Sequence, residues 1–266
     1  MRILAIGDPH GNLEKIKRIP LKNIDLILLT GDLGKADIAR KRSFENSNRI
    51  KEGLKKIKED KKFIRDSHRE IHLSTINILK YFSNYAPIYF ILGNVGILTK
   101  SKIREDKERY GVIIPSTMDK INSMKNTFLV KNRLRQIGKK RIGFLEYFVD
   151  SCWVKEFKPG NYKKSMKKAK KQTEKAKRIL ERFRDLDILV CHQPPYGYLD
   201  KVNFKQAPKN WQGKHAGSKT ILNYIKKYQP KYVFCGHIHE GEGKVKIGKT
   251  EVYNLGLAGH KIIKIN

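Results

Sequence analysis

The sequence predicts an α/β protein, with helices covering sheets, and two patterns carry that prediction. The first is a set of short apolar runs that stop at small or polar residues: "RILAIGDPHG", "IDLILLTGDLG", "PIYFILGN", "RIGFLEYF", "DILVCHQPPYG" and "KYVFCGHIHEG". Continuous apolar runs bounded by turn residues suit strands buried on both faces. The second is helical spacing between some of these runs. "NLEKIKRI" sets Leu13, Ile16 and Ile19 on one helical face. "SKTILNYIKKYQP" does the same with Ile221, Leu222 and Ile225 before Pro230 ends the pattern.

The remaining segments follow in order. Residues 39–84 are charged and read as a long helical insertion, with Ile50, Leu54 and Ile57 on one face. Residues 161–184 read as a basic helix holding eleven Lys or Arg against two Glu. Its packing stripe is thin: Met166, Ala169, Lys170, Thr173, Ala176 and Leu180. A run of this kind is either a solvated helix face or a polyanion-binding face. Near the end, "GKVKIGKTEVYNLG" and "HKIIKIN" read as antiparallel strands, the first pair turning at Ile247-Gly248-Lys249. No repeat or low-complexity linker divides the chain. Residues 1–266 are therefore read as one domain, and 39% hydrophobic content supplies one large core.

Composition narrows the function classes. No apolar run approaches the roughly 20 residues of a membrane span. The opening "MRILAIGDPH" turns polar too early for a signal peptide, so the chain is read as cytoplasmic and not membrane-bound. Cys152, Cys191 and Cys235 are odd in number and form no CxxC pair, which fits small buried side chains rather than a disulfide framework. Lys and Arg total 58 against 26 Asp and Glu, a net charge of +32. Such a chain attracts polyanions, which makes nucleic acid a candidate partner through a basic surface. Lysine outnumbers arginine 43 to 15, however, and bidentate reading of bases favours arginine.

The chemistry lies where the apolar runs end. Asp8 and His10 follow the first run, Asp32 the second in "TGD", and Asn94 the third in "GN". His192 follows a later run in "CHQPP", and His237 and His239 follow the next in "GHIH". These seven side chains offer oxygen or imidazole donors, and strand ends are where sites gather in α/β proteins. Asp and Asn are also common turn residues. Chance would have to place all seven directly after strands, in this order.

The ordered series DxH, GD, GN, H and GHxH resembles that of the calcineurin-like metallophosphoesterase superfamily, from Asp8 to His239. The resemblance implies a four-layer α-β-β-α sandwich of two mixed sheets flanked by helices, with a dinuclear metal site at the strand ends. It implies that Asp8, His10 and His239 hold one metal, that Asn94, His192 and His237 hold the other, and that Asp32 bridges them. The metals would be two divalent ions, manganese first, with iron, zinc, nickel or cobalt as alternatives. Two such ions activate a bridging hydroxide that attacks phosphorus directly. The expected activity is phosphohydrolase, on a diester of nucleotide or nucleic-acid type. Asn94 would both ligate and offer an amide N–H to the phosphate.

In one place the sequence departs from the pattern. The superfamily usually has histidine and an acid after GN, though some branches carry cysteine at the histidine position, whereas here "GNVG" places Val95 and Gly96. Neither side chain can deliver a proton, and general acid help is typically a 10²–10⁴-fold effect. His215 in "GKHAGSKT" is the candidate replacement. The alternative reading is a metal-binding scaffold or nucleic-acid-binding protein with little turnover.

Overall fold

The computed structural model describes residues 1–95, 97, 100–204 and 207–265. One sheet contains β1 (Arg2–Ile6), β2 (Leu26–Leu29), β3 (Ile88–Phe90), β4 (Thr127–Leu129) and β11 (His260–Lys264), in the spatial order 11-1-2-3-4. The other contains β5 (Leu134–Ile137), β6 (Lys140–Leu145), β7 (Ile188–Cys191), β8 (Tyr232–Cys235), β9 (Gly243–Ile247) and β10 (Thr250–Asn254), in the order 5-6-7-8-10-9. Both sheets are mixed. β1, β2, β3 and β4 run parallel, with β11 antiparallel to β1. β6, β7, β8 and β10 run parallel between the antiparallel edges β5 and β9.

The sheets face each other across an apolar layer. Ile3, Ala5, Leu26 and Leu28 of the first meet Ile142, Phe144, Ile188, Val190 and Phe234 of the second. Every residue of β2 and β7 is buried, as their unbroken apolar runs require. Helices close the outer faces. On the first sheet, α1 (Leu13–Lys17), α3 (Lys61–Ser83) and α5 (Thr117–Asn122) contribute Ile16, Ile78, Leu79, Phe82 and Ile121. Burying each such large side chain is worth about 1.5–3 kcal/mol. On the second sheet, α7 (Tyr162–Glu181) and α8 (Lys219–Tyr228) contribute Ala176, Leu180, Ile221, Tyr224 and Ile225. The result is the four-layer α-β-β-α sandwich.

The charged segments differ from their sequence readings in detail. Residues 39–84 are largely helical, as expected, but as two helices. α2 (Asp37–Lys51) stops, Gly53 turns the chain at φ +73°, and α3 begins where Asp60 accepts from the Phe63 N–H (2.7 Å). Ile50 and Leu54 are 52% and 49% exposed, so they form no buried face; α3 supplies that face instead. In α7 the stripe is Ala169, Thr173, Ala176 and Leu180, while Lys170 is exposed. α4 (Lys100–Tyr110) and the edge strands β4 and β5 carry too little apolar pattern to stand out in the sequence.

One buried carboxylate joins two helices near the site. Asp150 Oδ1 accepts from the Cys152 N–H (3.0 Å), capping α6 (Ser151–Phe157). Its Oδ2 accepts from Ser218 Oγ (2.7 Å) and the Thr220 N–H (3.1 Å) at the start of α8. Burial opposes its charge, but these donors outweigh it and hold Asp150 below the ordinary carboxylate value. Among the described residues, no helix is long and apolar enough to cross a membrane.

Candidate functional site

The parallel strands direct their carboxyl ends to one edge of the sandwich, where Asp8, Asp32, Asn94, His192 and His237 follow β1, β2, β3, β7 and β8. All seven sequence-predicted donors meet there. Asp8 is fully buried. Its Oδ1 accepts from Thr30 Oγ (3.0 Å), and its Oδ2 accepts from the His237 N–H (2.5 Å) and lies 3.4 Å from Nε2 of His239. Asp32 Oδ2 lies 3.7 Å from Nε2 of His10 and 3.6 Å from Nε2 of His192. Asn94 Oδ1 lies 2.7 Å from Nε2 of His192 and 2.8 Å from Nδ1 of His237. Ligand atoms of Asp8, His10 and His239 all fall within 4.8 Å of one another, as do those of Asp8, Asp32 and His192. Asp8 therefore belongs to both groups.

The backbone works to achieve this convergence. His10, Asp32 and His237 adopt left-handed φ values of 42°, 39° and 69°. Such conformations are costly for residues with a Cβ and concentrate at functional sites. Gly93 is needed because a Cβ there would overlap Asp32 Oδ1 and come within 2.6 Å of Cε1 of His192. At Gly236 a Cβ would lie 2.7 Å from Cγ of Asp8.

Thr30 sets the orientation of the central imidazole. Its carbonyl can only accept, so His192 Nδ1 donates to it (2.9 Å). In a neutral ring this leaves the Nε2 lone pair facing the Asn94 oxygen, an arrangement suited to a shared cation. Two further imidazole nitrogens are buried: Nδ1 of His10 has no hydrogen-bond partner, and Nε2 of His239 has no aligned hydrogen bond, only its 3.4 Å approach to Asp8. A carboxylate, amide and imidazole donor set with an unpartnered nitrogen fits divalent first-row metals.

The electrostatics follow from burial and crowding. Burial penalises the charge of Asp8, but the His192 and His239 imidazoles and the His237 amide hold it well below the usual carboxylate range. Burial, aided by the neighbouring Asp8, raises Asp32 to about 6. Burial lowers His10 to about 4, and burial together with His192 lowers His237 to about 3, so both rings stay neutral at neutral pH. Burial alone would lower His192, yet Asp32 and Asp8 push it up.

At the GNVG loop the backbone carries the contact. The Val95 N–H donates to Asp32 Oδ1 (2.7 Å), while Gly96 lies outside the described residues. His215 stands apart from the seven. Its Nδ1 is 2.6 Å from Asp200 Oδ1, and its ring packs on Tyr196 with centroids 5.2 Å apart. Asp200 also accepts from the Gly197 and Gly217 N–H groups (2.9 and 3.0 Å). Three participants escape a sequence reading. Thr30 acts partly through its carbonyl, which any residue type has. Tyr147 packs on His192 and His237 at 5.7 and 5.3 Å, but in "LEYF" it reads as a core aromatic. Asp200 could only have been found through its partner His215.

Comparisons with known proteins bear on the family and the fold. A family model described as calcineurin-like phosphoesterase matches residues 1–241. Over 70 residues, 26% of this chain, the sequence is 40% identical to human metallophosphoesterase domain-containing protein 1, covering 19% of that protein. It is 33% identical over 70 residues to UPF0046 protein K07C11.7 of Caenorhabditis elegans, covering 26% of this chain and 21% of that protein. The chain thus matches about a fifth of the length of these relatives. One solved crystal structure superposes with a TM-score of 0.58 at 15% identity, covering 98% of this chain and 94% of that one, which shows a shared fold.

Proposed function

Because the chain belongs to the calcineurin-like phosphoesterase family, we propose that it is a metal-dependent phosphohydrolase acting on phosphodiesters of nucleotide or nucleic-acid type. Asp8, His10 and His239 would hold one divalent cation and Asn94, His192 and His237 the other, with Asp32 between them. Manganese is the first choice, and iron, zinc, nickel or cobalt suit the same donors. Bound there, the cations supply acidified water and charge that offsets the phosphoryl oxygens.

The chain's own groups do the rest. Thr30 fixes the His192 tautomer, and Val95 holds Asp32 through its amide. Asn94 can offer an N–H to a phosphoryl oxygen while its own oxygen faces the imidazoles. Val95 has no proton to give, so proton delivery to the leaving oxygen falls to His215. Asp200, on its Nδ1, fixes the ring so that Nε2 is the working nitrogen. No covalent nucleophile is required. Burial pushes the Cys191 thiol far above its ordinary value, so it is inert. The exposed lysines of α7 give a phosphodiester polymer a surface to contact. We place the activity in the cytoplasm, in keeping with three buried free cysteines.

The observation that carries this reading is the gathering of seven donor side chains from distant segments around Asp8 and Asn94. The test is hydrolysis of a chromogenic phosphodiester by the purified protein with added Mn²⁺. Turnover should require metal and vanish in Asp32→Ala. Absence of turnover with manganese, zinc, nickel and iron, alongside salt-sensitive nucleic-acid binding, would replace this reading with that of a scaffold.

A further inference from the structure

A cavity of about 590 Å³ opens beside the candidate metal centre, and His237 and His239 belong to its wall. That volume lies in the usual range for a small-molecule site. Its chemistry is unlike that of the centre. Trp153 and Phe157 sit four residues apart on one face of α6, and their rings stack with centroids 5.0 Å apart. Trp211, from a short 3₁₀ turn at Lys209–Trp211, packs edge-on to Trp153 at 5.8 Å and to Phe157 at 5.0 Å. The segment bearing that turn is tied back on itself. The Val202 N–H donates to the Lys214 carbonyl (3.0 Å), and the Gly213 N–H donates to the Val202 carbonyl (2.8 Å).

Both tryptophans of the chain therefore line this one cavity, and each is half-buried. Phe44 and Phe204 border it and are each 43% exposed. Arg40 stands at the rim, its guanidinium 3.6 Å from Asp37. Val202, Ala216 and Ile238 line it too and would serve an aliphatic tail, but such a tail needs no aromatic rings around it. A wall of tryptophan and phenylalanine rings with a guanidinium nearby suits a flat π-system that can stack.

We propose that this cavity is a substrate subsite for a planar aromatic ring, either a nucleobase or an aryl ester, joined to a phosphoryl group seated at the metal centre. The proposal rests on the phosphoesterase reading and deepens it, because it names what the ester carries. Trp153 and Trp211 form the stacking wall, and Phe204 closes the outer side.

Because both tryptophans line the cavity, intrinsic fluorescence reports its occupancy directly. The experiment titrates the Mn²⁺-loaded protein with phenylphosphonate, octylphosphonate and methylphosphonate, and with adenosine and uridine 5′-monophosphates. Phenylphosphonate or the nucleotides should change tryptophan fluorescence saturably and bind more tightly than methylphosphonate. The nucleotide and phenyl arms decide between base and aryl ester. Phe204→Ala, at an exposed position that folding tolerates, should weaken the aromatic probes roughly 5- to 150-fold and methylphosphonate much less. Trp211→Leu should do the same. Equal or tighter binding of octylphosphonate, lost to the same degree in both variants, would make the cavity an acyl-chain site and overturn the proposal. So would aromatic probes that leave the fluorescence unchanged. Metal-dependent hydrolysis of glycerophosphocholine, a phosphodiester with no aromatic ring, followed in parallel, tests the phosphoesterase reading on its own. Loss of one signal with survival of the other tells the two failures apart.

Discussion

A single methyl group added at Gly93 should weaken metal capture while leaving the fold intact. The Cβ of Gly93→Ala would overlap Asp32 Oδ1 and stand 2.6 Å from Cε1 of His192, where ordinary contact begins at 3.4 Å. The ring and the carboxylate must therefore retreat by about 0.8 Å or more. Retreat of Asp32 also breaks its 2.7 Å bond from the Val95 N–H. Loss of a group that orients metal ligands typically costs 10–100-fold in affinity, about 1.4–2.7 kcal/mol. Misplacement near 1 Å can cost turnover about 100-fold. Isothermal titration with Mn²⁺ should show that affinity loss, and phosphodiester hydrolysis should fall at least as far. Gly160→Ala, where a new Cβ meets nothing within 4 Å, is the matched control and should leave both unchanged. Metal affinity in Gly93→Ala within twofold of the parent would mean that Asp32 and His192 do not hold the ion.

The other predictions concern the supports of the site. Asp150→Ala removes the α6 cap and strands buried donors at Ser218 and Thr220, so urea unfolding at pH 7 should show a loss of about 2–4 kcal/mol. The Asp150 carboxyl titrates below its unfolded value, so its contribution is complete above about pH 4 and disappears as pH falls through the folded value. Parent and variant should then converge in acid; a constant gap down to pH 2 would exclude the ionised carboxylate as the cause. His215→Ala should lower turnover about 100-fold or more with metal content unchanged, and Asp200→Asn should reproduce part of the loss; unaltered kinetics would remove both from the mechanism. Replacing exposed Lys163, Lys167 and Lys171 of α7 with Gln should weaken oligonucleotide binding and flatten its salt dependence by about 0.9 per lost phosphate contact. An equal drop in hydrolysis of a small diester would show that α7 acts through the fold instead.

The α/β class was legible because fully buried strands such as β2 and β7 leave unbroken apolar runs that end in turn residues. The gathering of Asp8, Asp32, Asn94, His192 and His237 was legible for the same reason, since each stands at the end of such a run. Groups that act through the backbone left no trace. The Thr30 carbonyl and the Val95 amide position His192 and Asp32 whatever side chains those residues carry. The aromatic cavity was hidden differently, because α6 and the turn bearing Trp211 lie more than fifty residues apart and meet only in the folded chain. The 39–84 segment misled through Ile50 and Leu54, whose helical spacing is real but runs past Gly53, where the helix has stopped.

Asp8, Asp32 and Asn94 extend from one sheet, whereas His192 and His237 extend from the other, so the donor cluster straddles the seam of the sandwich. Any slippage between the two halves pulls the cluster apart, even when each half keeps its hydrogen-bonded ladder. Mild denaturant should therefore abolish ion capture before circular dichroism registers lost strands. Enlarging a seam residue such as Ala5 should harm catalysis more than it lowers the melting point.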